Sequence, residues 1–140
     1  PQGGASTVAK GLSDPTGLCW KDGALYIAET GRNRILQLKD GKITVLAGSG
    51  SDGSAGGRAA QASFSAPQGV AVGEDGSVYV ADTGNGAVRM IKSGTVSTLA
   101  VRDPAQLSGD MISPVGLLLQ GGSLYVCDPF VRKIFVLAVA

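Results

Sequence analysis

Three acidic residues recur at one position of an internal repeat and are the residues best suited to chemistry. Glu29, Asp82 and Asp128 each stand three residues after a tyrosine. Three carboxylates brought together could hold a divalent cation such as calcium, or act as a general acid and base. In the structural alternative, each carboxylate caps the following turn or pairs with a base five positions on, Arg34 in the first copy and Lys133 in the third. We favour the structural role, because a residue present in every repeat usually serves the repeat.

Other kinds of site find little support in the sequence. The chain has no histidine, the commonest general base and usual zinc ligand, so a Ser-His-Asp triad is impossible. Cys19 and Cys127 lie within apolar runs, which favours buried free thiols over a disulfide or a redox role. The glycine-rich stretch 48–57 lacks the Gly-Lys-Ser/Thr ending of a phosphate-binding loop. We therefore assign no catalytic residue, no metal ligand and no cofactor.

Composition narrows the class of protein. The 140 residues suit one domain, and 44% of them are apolar but only 5% aromatic, which predicts a core of aliphatic side chains. The 12 basic and 11 acidic residues nearly cancel, so no overall field favours nucleic acid or an anionic membrane. No apolar run is long enough to span a membrane, and no signal peptide opens the sequence, so we expect a soluble protein.

Three copies of one pattern position these residues, spaced by about 50 residues, which indicates a repeat architecture. Each copy has Pro-x-Gly, a short turn, an apolar run with Tyr, the acidic residue and an aliphatic residue. In the first copy, four short runs (17–20, 25–28, 35–38 and 43–47) are separated by turn residues. This pattern predicts an all-β fold of four-stranded antiparallel meanders. Because so small a sheet is marginal alone, the meanders must stack, as the blades of a β-propeller do.

The sequence begins and ends at the same phase of the repeat. The third copy stops before its last apolar segment, whereas residues 4–9 match the last segment of the second copy, 95–100. We expect residues 1–11 to form the outer strand of a preceding or partner blade. The three blades are then predicted at 12–48, 64–101 and 111–140, the third lacking its outer strand.

The stretches 25–35 (Leu-Tyr-Ile-Ala-Glu-Thr-Gly-Arg-Asn-Arg-Ile) and 78–88 (Val-Tyr-Val-Ala-Asp-Thr-Gly-Asn-Gly-Ala-Val) resemble NHL repeats. The glycine-rich linker 46–64 is similar to the connection between blades in many of them. The resemblance implies blades of a propeller that commonly closes with six. The third copy departs from the pattern, with Pro129 and Phe130 where the others have Thr and Gly.

Three blades are half of such a ring, which leaves two hypotheses. Two chains could form a homodimer in which residues 5–9 of one chain complete the third blade of the other by strand exchange. Alternatively, the chain is a fragment of a longer six-bladed propeller. We slightly favour the dimer, because an open sheet edge would expose unpaired backbone and apolar side chains.

In propellers, the loops between second and third strands share one face with the interblade loops. These loops are either plain solvated turns or, in the functional alternative, a mildly basic, hydrogen-bonding rim on that face, with a further arginine reaching it from the glycine-rich linker. The candidate ligand-binding residues are Arg32, Asn33, Arg58, Asn85, Phe130 and Arg132.

The leading function is a non-enzymatic scaffold that binds a protein, peptide or glycan through this face. One alternative is RNA binding, which some NHL propellers perform and which favours a basic field with stacking aromatics, although Trp20 and the three tyrosines fall within strands. The other is a lyase or hydrolase with a metal site that lacks histidine. The peptide-amidating lyases that resemble NHL propellers use histidine-bound zinc, which this chain cannot provide.

Overall fold

The structure is a computed structural model that describes residues 3–101 and 111–139. The predicted outer-strand segment 1–11 and the predicted third blade 111–140 therefore each extend slightly beyond the described residues. Three antiparallel sheets follow one another along the chain, as the repeat predicts. We call them blade 1, blade 2 and blade 3.

Blade 1 is a four-stranded meander with the strand order of the sequence. Its strands are β1 (Pro15–Lys21), β2 (Ala24–Glu29), β3 (Arg34–Lys39) and β4 (Lys42–Ala47). Blade 2 has the same four-stranded meander and one additional short strand that pairs with its outer strand. Its strands are β5 (Gly57–Arg58), β6 (Gly69–Val72), β7 (Val78–Asp82), β8 (Ala87–Lys92) and β9 (Thr95–Val101).

Blade 3 contains three strands within the described residues. They are β10 (Gly116–Gln120), β11 (Ser123–Asp128) and β12 (Lys133–Ala138). Residues 3–14, which include most of the segment predicted to be an outer strand, form no strand in this structure. The exchanged strand therefore stays a prediction.

Tight turns join most neighbouring strands at one edge of the blades, which we call the turn face. Asp22 and Gly23 link β1 to β2 with positive φ angles of 48° and 81°. Asp40 and Gly41 do the same between β3 and β4. Two consecutive residues with positive φ form the type I′ turn, whose twist matches that of antiparallel strands. The opposite edge, which carries the β2–β3, β7–β8 and β11–β12 connections, is the loop face.

The hydrophobic core lies between the blades. One cluster packs Ala28, Ile35 and Ala47 of blade 1 against blade 2, including Phe64 and Val80. A second cluster packs blade 2 against blade 3. Since each blade buries both faces only when it has two neighbours, the small sheets are stabilised by stacking.

The tyrosines of the three repeats occupy equivalent places but differ in burial. Tyr26, Tyr79 and Tyr125 lie on the second strands and pair across to Gln37, Met90 and Val136 respectively. Tyr79 is 4% exposed and Tyr125 is 41% exposed. The difference follows from the packing, because blade 3 covers Tyr79 whereas no described residue covers the equivalent face of blade 3.

Candidate functional site on the loop face

The acidic residue of blade 1 holds the start of its own blade. Glu29 is fully buried at the end of β2. Its carboxylate accepts hydrogen bonds from the Ser13 backbone N–H at 3.1 Å, from Arg34 Nε at 2.5 Å and from Arg32 Nη1 at 3.1 Å. Glu29 and Arg34 are also direct cross-strand partners. The predicted pair of Glu29 with Arg34 is therefore present.

In blade 2, the partner comes from farther along the chain. Asp82 is fully buried and accepts hydrogen bonds from the Ser65 N–H at 2.8 Å and from Asn85 Nδ2 at 2.7 Å. Position 87 carries alanine, so the ion pair forms instead with Arg89 Nη1, at 2.9 Å from Oδ2. Arg89 lies two residues beyond the cross-strand partner Ala87, close to the position that the spacing indicates.

Arg89 also fastens the linker that precedes blade 2. Its side chain is 1% exposed, and its Nη atoms donate to the carbonyl oxygens of Ser63 and Ala55, each at 3.1 Å. The guanidinium carbon lies 5.3 Å from the ring centroid of Phe64, within the range of a cation–π contact. The glycine-rich linker is therefore tied to blade 2.

In blade 3, the expected pair of Asp128 with Lys133 does not form. Asp128 is buried, but Lys133 is exposed and makes no ion pair within the described residues. Four backbone N–H groups occupy the carboxylate instead. They belong to Ile112 and Ser113 at 2.6 and 2.8 Å, and to Phe130 and Val131 at 3.0 and 3.3 Å. Because these donors already satisfy both oxygens, the charge needs no lysine.

The surroundings shift the pKa of each carboxyl group. Burial alone would raise the pKa of Glu29, but the hydrogen bonds from Arg34 and Ser13, together with the charges of Arg34 and Arg32, outweigh it and hold that pKa below 4.5. Burial would likewise raise the pKa of Asp128, and the four N–H donors hold it below 3.8. For Asp82, burial prevails over Asn85, Ser65 and Arg89 and raises the pKa above 3.8.

Through these contacts, backbone N–H groups hold each of the three carboxylates in place. Each is buried within its own blade and binds the segment that leads into that blade's first strand. Within the described ranges 3–101 and 111–139, no group of three or more Cys, Asp or Glu side chains is arranged to hold a metal ion. The arrangement fits the structural hypothesis for the repeated acidic residues.

A threonine that follows the acidic residue joins neighbouring blades, and sequence reasoning missed it. Thr30 Oγ1 donates to the carbonyl of Pro67 at 2.6 Å, and Thr83 Oγ1 donates to the carbonyl of Pro114 at 2.6 Å. Blade 3 has Pro129 at this position, which carries no hydroxyl. The sequence signal for this contact was a combination of two motifs: an acidic residue followed by Thr in one repeat, and Pro-x-Gly in the next.

The predicted binding residues of blade 1 are partly engaged in the structure. Arg32 ends the 3₁₀ turn Thr30–Arg32 and donates to the Gly11 carbonyl at 3.0 Å, yet its side chain remains 49% exposed. Asn33 has a left-handed backbone, and its Oδ1 accepts the Ala66 N–H at 2.8 Å. The side chain of Arg32 is thus half-exposed, whereas the amide of Asn33 ties blade 1 to the linker.

The structure places Asn85 on the loop face, half-buried and held by hydrogen bonds, and places Arg58 elsewhere. The Nδ2 of Asn85 donates to the Gly53 carbonyl at 2.8 Å as well as to Asp82. Arg58 is exposed on β5, but β5 pairs with β9 at Thr95, beside the turn that begins β9. The expectation that Arg58 reaches the loop face therefore differs from the structure, which places this residue at the turn face.

Blade 3 presents the most exposed candidates. Phe130 is 71% exposed, and Arg132, with φ of 59°, is also exposed. Phe130 stands where the other blades have Gly31 and Gly84, whose added Cβ atoms would collide with Ser13 and Ser65. The loop of blade 3 has its own conformation, fixed by the two N–H groups that bind Asp128.

The cysteines and one concave region complete the description. Both cysteines are free; Cys19 is half-buried and Cys127 is exposed, so the expected burial does not hold for Cys127. A cleft of about 410 Å³ lies on the turn face between blades 2 and 3, lined partly by Glu74, Asp75 and Tyr79. No helix in the described part of the chain has the length and apolarity needed to cross a membrane.

Known proteins share both the sequence pattern and the fold. The chain is 46% identical over 68 residues to NHL repeat-containing protein 2 of Gallus gallus, covering 48% of this chain and 9% of that protein. The chain spans less than a tenth of the length of the curated relatives it matches.

Two solved structures are similar in fold at 19% identity. The Nidogen/Laminin complex contains a chain with a TM-score of 0.70, covering 92% of this chain and 44% of that one. An auxiliary nutrient binding protein from Bacteroides ovatus also has a TM-score of 0.70, covering 87% and 36%. At this identity the likeness concerns the fold alone, and both support stacked propeller blades.

A family model described as the Teneurin NHL domain matches residues 7–91, which is more than half of the chain. This range contains the two stretches whose motifs resemble NHL repeats, 25–35 and 78–88, and the structure places both in propeller blades. The chain belongs to the teneurin NHL-domain family.

Proposed function

We propose that this chain is a non-enzymatic propeller scaffold that binds a protein, peptide or glycan ligand through its loop face. The observation that carries the proposal is the loop of blade 3, where Phe130 is 71% exposed and Arg132 is also exposed. An exposed aromatic ring and an exposed guanidinium on one loop supply apolar area and directed hydrogen bonds, the combination that is enriched at binding interfaces.

The backbone of this loop is fixed before any ligand arrives. The N–H groups of Phe130 and Val131 donate to the buried Asp128. A loop held in this way loses little further entropy on binding, which favours affinity. Arg32, half-exposed on the loop of blade 1, extends the polar part of the same face.

The repeated carboxylates support binding over catalysis. A general acid or a metal ligand must be able to reach a substrate or an ion, but Glu29, Asp82 and Asp128 are each buried and hydrogen-bonded to their own blade. Two of the similar structures, a nutrient binding protein and a nidogen complex with laminin, fit a binding role.

The proposal includes completion of the ring of blades. Residues 4–9 match the outer strand of blade 2 in sequence, and blade 3 has three strands among its described residues. The ring would be completed by a second copy through strand exchange or by further blades of a longer protein. The assignment of residues 1–11 to an outer strand, and of residues 12–48, 64–101 and 111–140 to the three blades, is part of this proposal.

The test uses two probes, a peptide library displayed on phage and a glycan array. We expect binders whose affinity falls at least about tenfold in Phe130→Ala and in Arg132→Ala, as for residues central to an interface. Leu99→Ala on the outer strand of blade 2 and Lys42→Ala at the turn face are the matched controls, and both residues are exposed. Binders that are equally sensitive to the controls, or retention of RNA homopolymers alone, would refute the proposal.

A further inference from the structure

The cleft on the turn face lies at the seam between blades 2 and 3, where a seam is the contact surface of two consecutive blades. Its volume of about 410 Å³ falls within the range of small-ligand sites. Both of its walls belong to this chain, since Val72 and Tyr79 come from blade 2 and Leu119 and Val139 from blade 3. The cleft is therefore a feature of a seam that is present within the molecule.

The seam between blades 1 and 2 is bridged at the equivalent place by an ion pair. Lys21, the last residue of β1, approaches Glu74 in the β6–β7 turn, with 2.7 Å between Nζ and Oε2. The strand register makes Gly73 and Gly121 the corresponding residues of the seam between blades 2 and 3. Because neither glycine carries a side chain, no such bridge forms there, which leaves room for the cleft.

A buried hydroxyl group lies in the wall of the cleft. Tyr79 lines the cleft and is 4% exposed. In blade 1, the hydroxyl of the equivalent Tyr26 accepts a hydrogen bond from Gln37 Nε2 at 3.1 Å. The cross-strand partner of Tyr79 is instead Met90, whose side chain has no donor. The position of Gln37 is thus filled in blade 2 by a residue that leaves the hydroxyl unpaired.

This hydroxyl keeps contact with solvent. Within residues 3–101 and 111–139, it makes no hydrogen bond, and Arg89 Nε is the one fully enclosed side-chain atom without a partner. The Tyr79 hydroxyl is therefore not fully enclosed, and the cleft is the opening that its side chain lines. A donor placed in the cleft would supply the hydrogen bond that Gln37 supplies to Tyr26.

The charged groups of the cleft wall are acidic. Glu74 and Asp75 line it, and no lysine or arginine is among the described residues of the wall. Their partners Lys21 and Lys92 lie outside the wall, at 2.7 and 3.0 Å from the carboxylates. Because the Glu74 and Asp75 side chains are 95% and 55% exposed, water screens these ion pairs, and they compete weakly with another cation.

We propose that this cleft binds a primary alkylammonium group through the Tyr79 hydroxyl and the carboxylates of Glu74 and Asp75. The aliphatic stem lies against the apolar part of the wall, which Val72, Leu119 and Val139 form. A free aliphatic amine and the side chain of a lysine in a partner polypeptide share this chemistry. The site is on the face opposite to the loops of the proposed scaffold function, so it is a second and separate site.

The test titrates the whole 140-residue chain with n-butylammonium chloride at constant ionic strength and follows the amide groups by NMR. We expect shifts at the amides of Gly73, Gly121 and Gly122, which line the cleft. n-Butanol should bind more weakly because it lacks the charge, and butyrate should not bind because its carboxylate would face two others. Nα-acetyl-lysine amide distinguishes the sources: tighter binding than n-butylammonium points to a polypeptide side chain, and weaker binding to a free amine.

Two variants examine the polar groups separately. Tyr79→Phe keeps the ring and removes the hydroxyl, and we expect it to weaken binding of n-butylammonium by about fivefold. Tyr26→Phe is the matched control and should leave binding unchanged, because that hydroxyl bonds to Gln37 in blade 1. Glu74→Gln changes a side chain that is 95% exposed and should also weaken binding, which keeps the test informative if Tyr79→Phe perturbs the core.

The proposal would be overturned by any of three results. The first is the absence of shifts at the three glycine amides. The second is equal affinity for n-butylammonium and butyrate. The third is unchanged affinity in Glu74→Gln together with equal losses in Tyr79→Phe and Tyr26→Phe.

Discussion

Arg89 donates from Nη1 to the carboxylate of Asp82 at 2.9 Å, and both side chains are almost completely buried. The same guanidinium binds the carbonyls of Ser63 and Ala55, so one side chain connects β7, β8 and the linker before blade 2. Among the described residues, its Nε atom has no hydrogen-bond partner.

Replacement of Arg89 should be among the most damaging substitutions in the chain. We expect Arg89→Met to lower the free energy of unfolding by about 3 to 5 kcal/mol, because it leaves the Asp82 carboxylate buried without its counter-charge. Urea unfolding followed by circular dichroism measures this. Arg34→Met is the comparison, and it should cost less because Arg34 is partly exposed and Arg32 remains beside Glu29. Equal losses of unfolding free energy in the two variants would contradict the special role of Arg89.

Asp128 should contribute to stability above its ordinary pKa of 3.8. Its folded pKa is lowered, so the contribution is complete above that value and is lost as pH falls through the folded pKa. We expect the free energy of unfolding of the wild type to decrease more steeply between about pH 5 and pH 2 than that of Asp128→Asn.

The comparison with Asp128→Asn is necessary because the titration of Asp82 changes the free energy of unfolding with pH in the opposite direction. Its raised pKa means that the folded state holds a proton more tightly than the unfolded state, so its effect on stability decreases with rising pH. Asp22→Asn, at an exposed turn position, is the control. Parallel pH curves for the wild type and Asp128→Asn would show that the four N–H groups do not lower the pKa of Asp128.

The equivalent tyrosines should differ in their contribution to stability. Tyr79→Ala should cost about 3 to 5 kcal/mol, because the ring lies in the core between blades 2 and 3. Tyr125→Ala should cost roughly 1 to 2 kcal/mol in single chains, because the residue is 41% exposed. Chemical denaturation at low and high protein concentration separates the effects. If a second copy covers Tyr125, its cost rises with concentration.

The hydrogen bond of the threonine that joins blade 2 to blade 3 can be tested with a nearly isosteric substitution. Thr83→Val removes the hydroxyl that donates to the Pro114 carbonyl and should lower the free energy of unfolding by about 1 kcal/mol. Thr98→Val, at an exposed position on β9, is the matched control and should have no comparable effect. Identical unfolding midpoints for both variants would mean that the hydrogen bond across the seam contributes nothing.

Much of the fold could be predicted from local patterns. Turn residues around each four-residue run indicate the hairpins, and Asp22 with Gly23 forms the expected turn. The pair of Glu29 with Arg34 follows from cross-strand register. Such features depend on residues close in sequence, whose geometry the strand period largely determines.

The contacts between blades could not be predicted in this way. Thr30 binds Pro67 across 37 residues, and Arg89 binds Ala55 across 34. Lys133 has the spacing for a pair with Asp128, yet backbone donors occupy that carboxylate. Arg58 follows the glycine-rich linker in sequence but reaches the turn face, because the linker forms a fifth strand beside β9. Each outcome depends on where a neighbouring segment lies.

The attachment of the linker to Arg89 has a consequence for recombining blades into new proteins. A recombined module that began at Pro67 would leave Arg89 in an apolar interior without the carbonyl groups of Ser63 and Ala55, which accept its hydrogen bonds. A module that begins before Ser54 includes these carbonyl groups, so the buried guanidinium keeps its hydrogen-bond acceptors. The natural unit of exchange in this chain is therefore a blade together with the loop that precedes it.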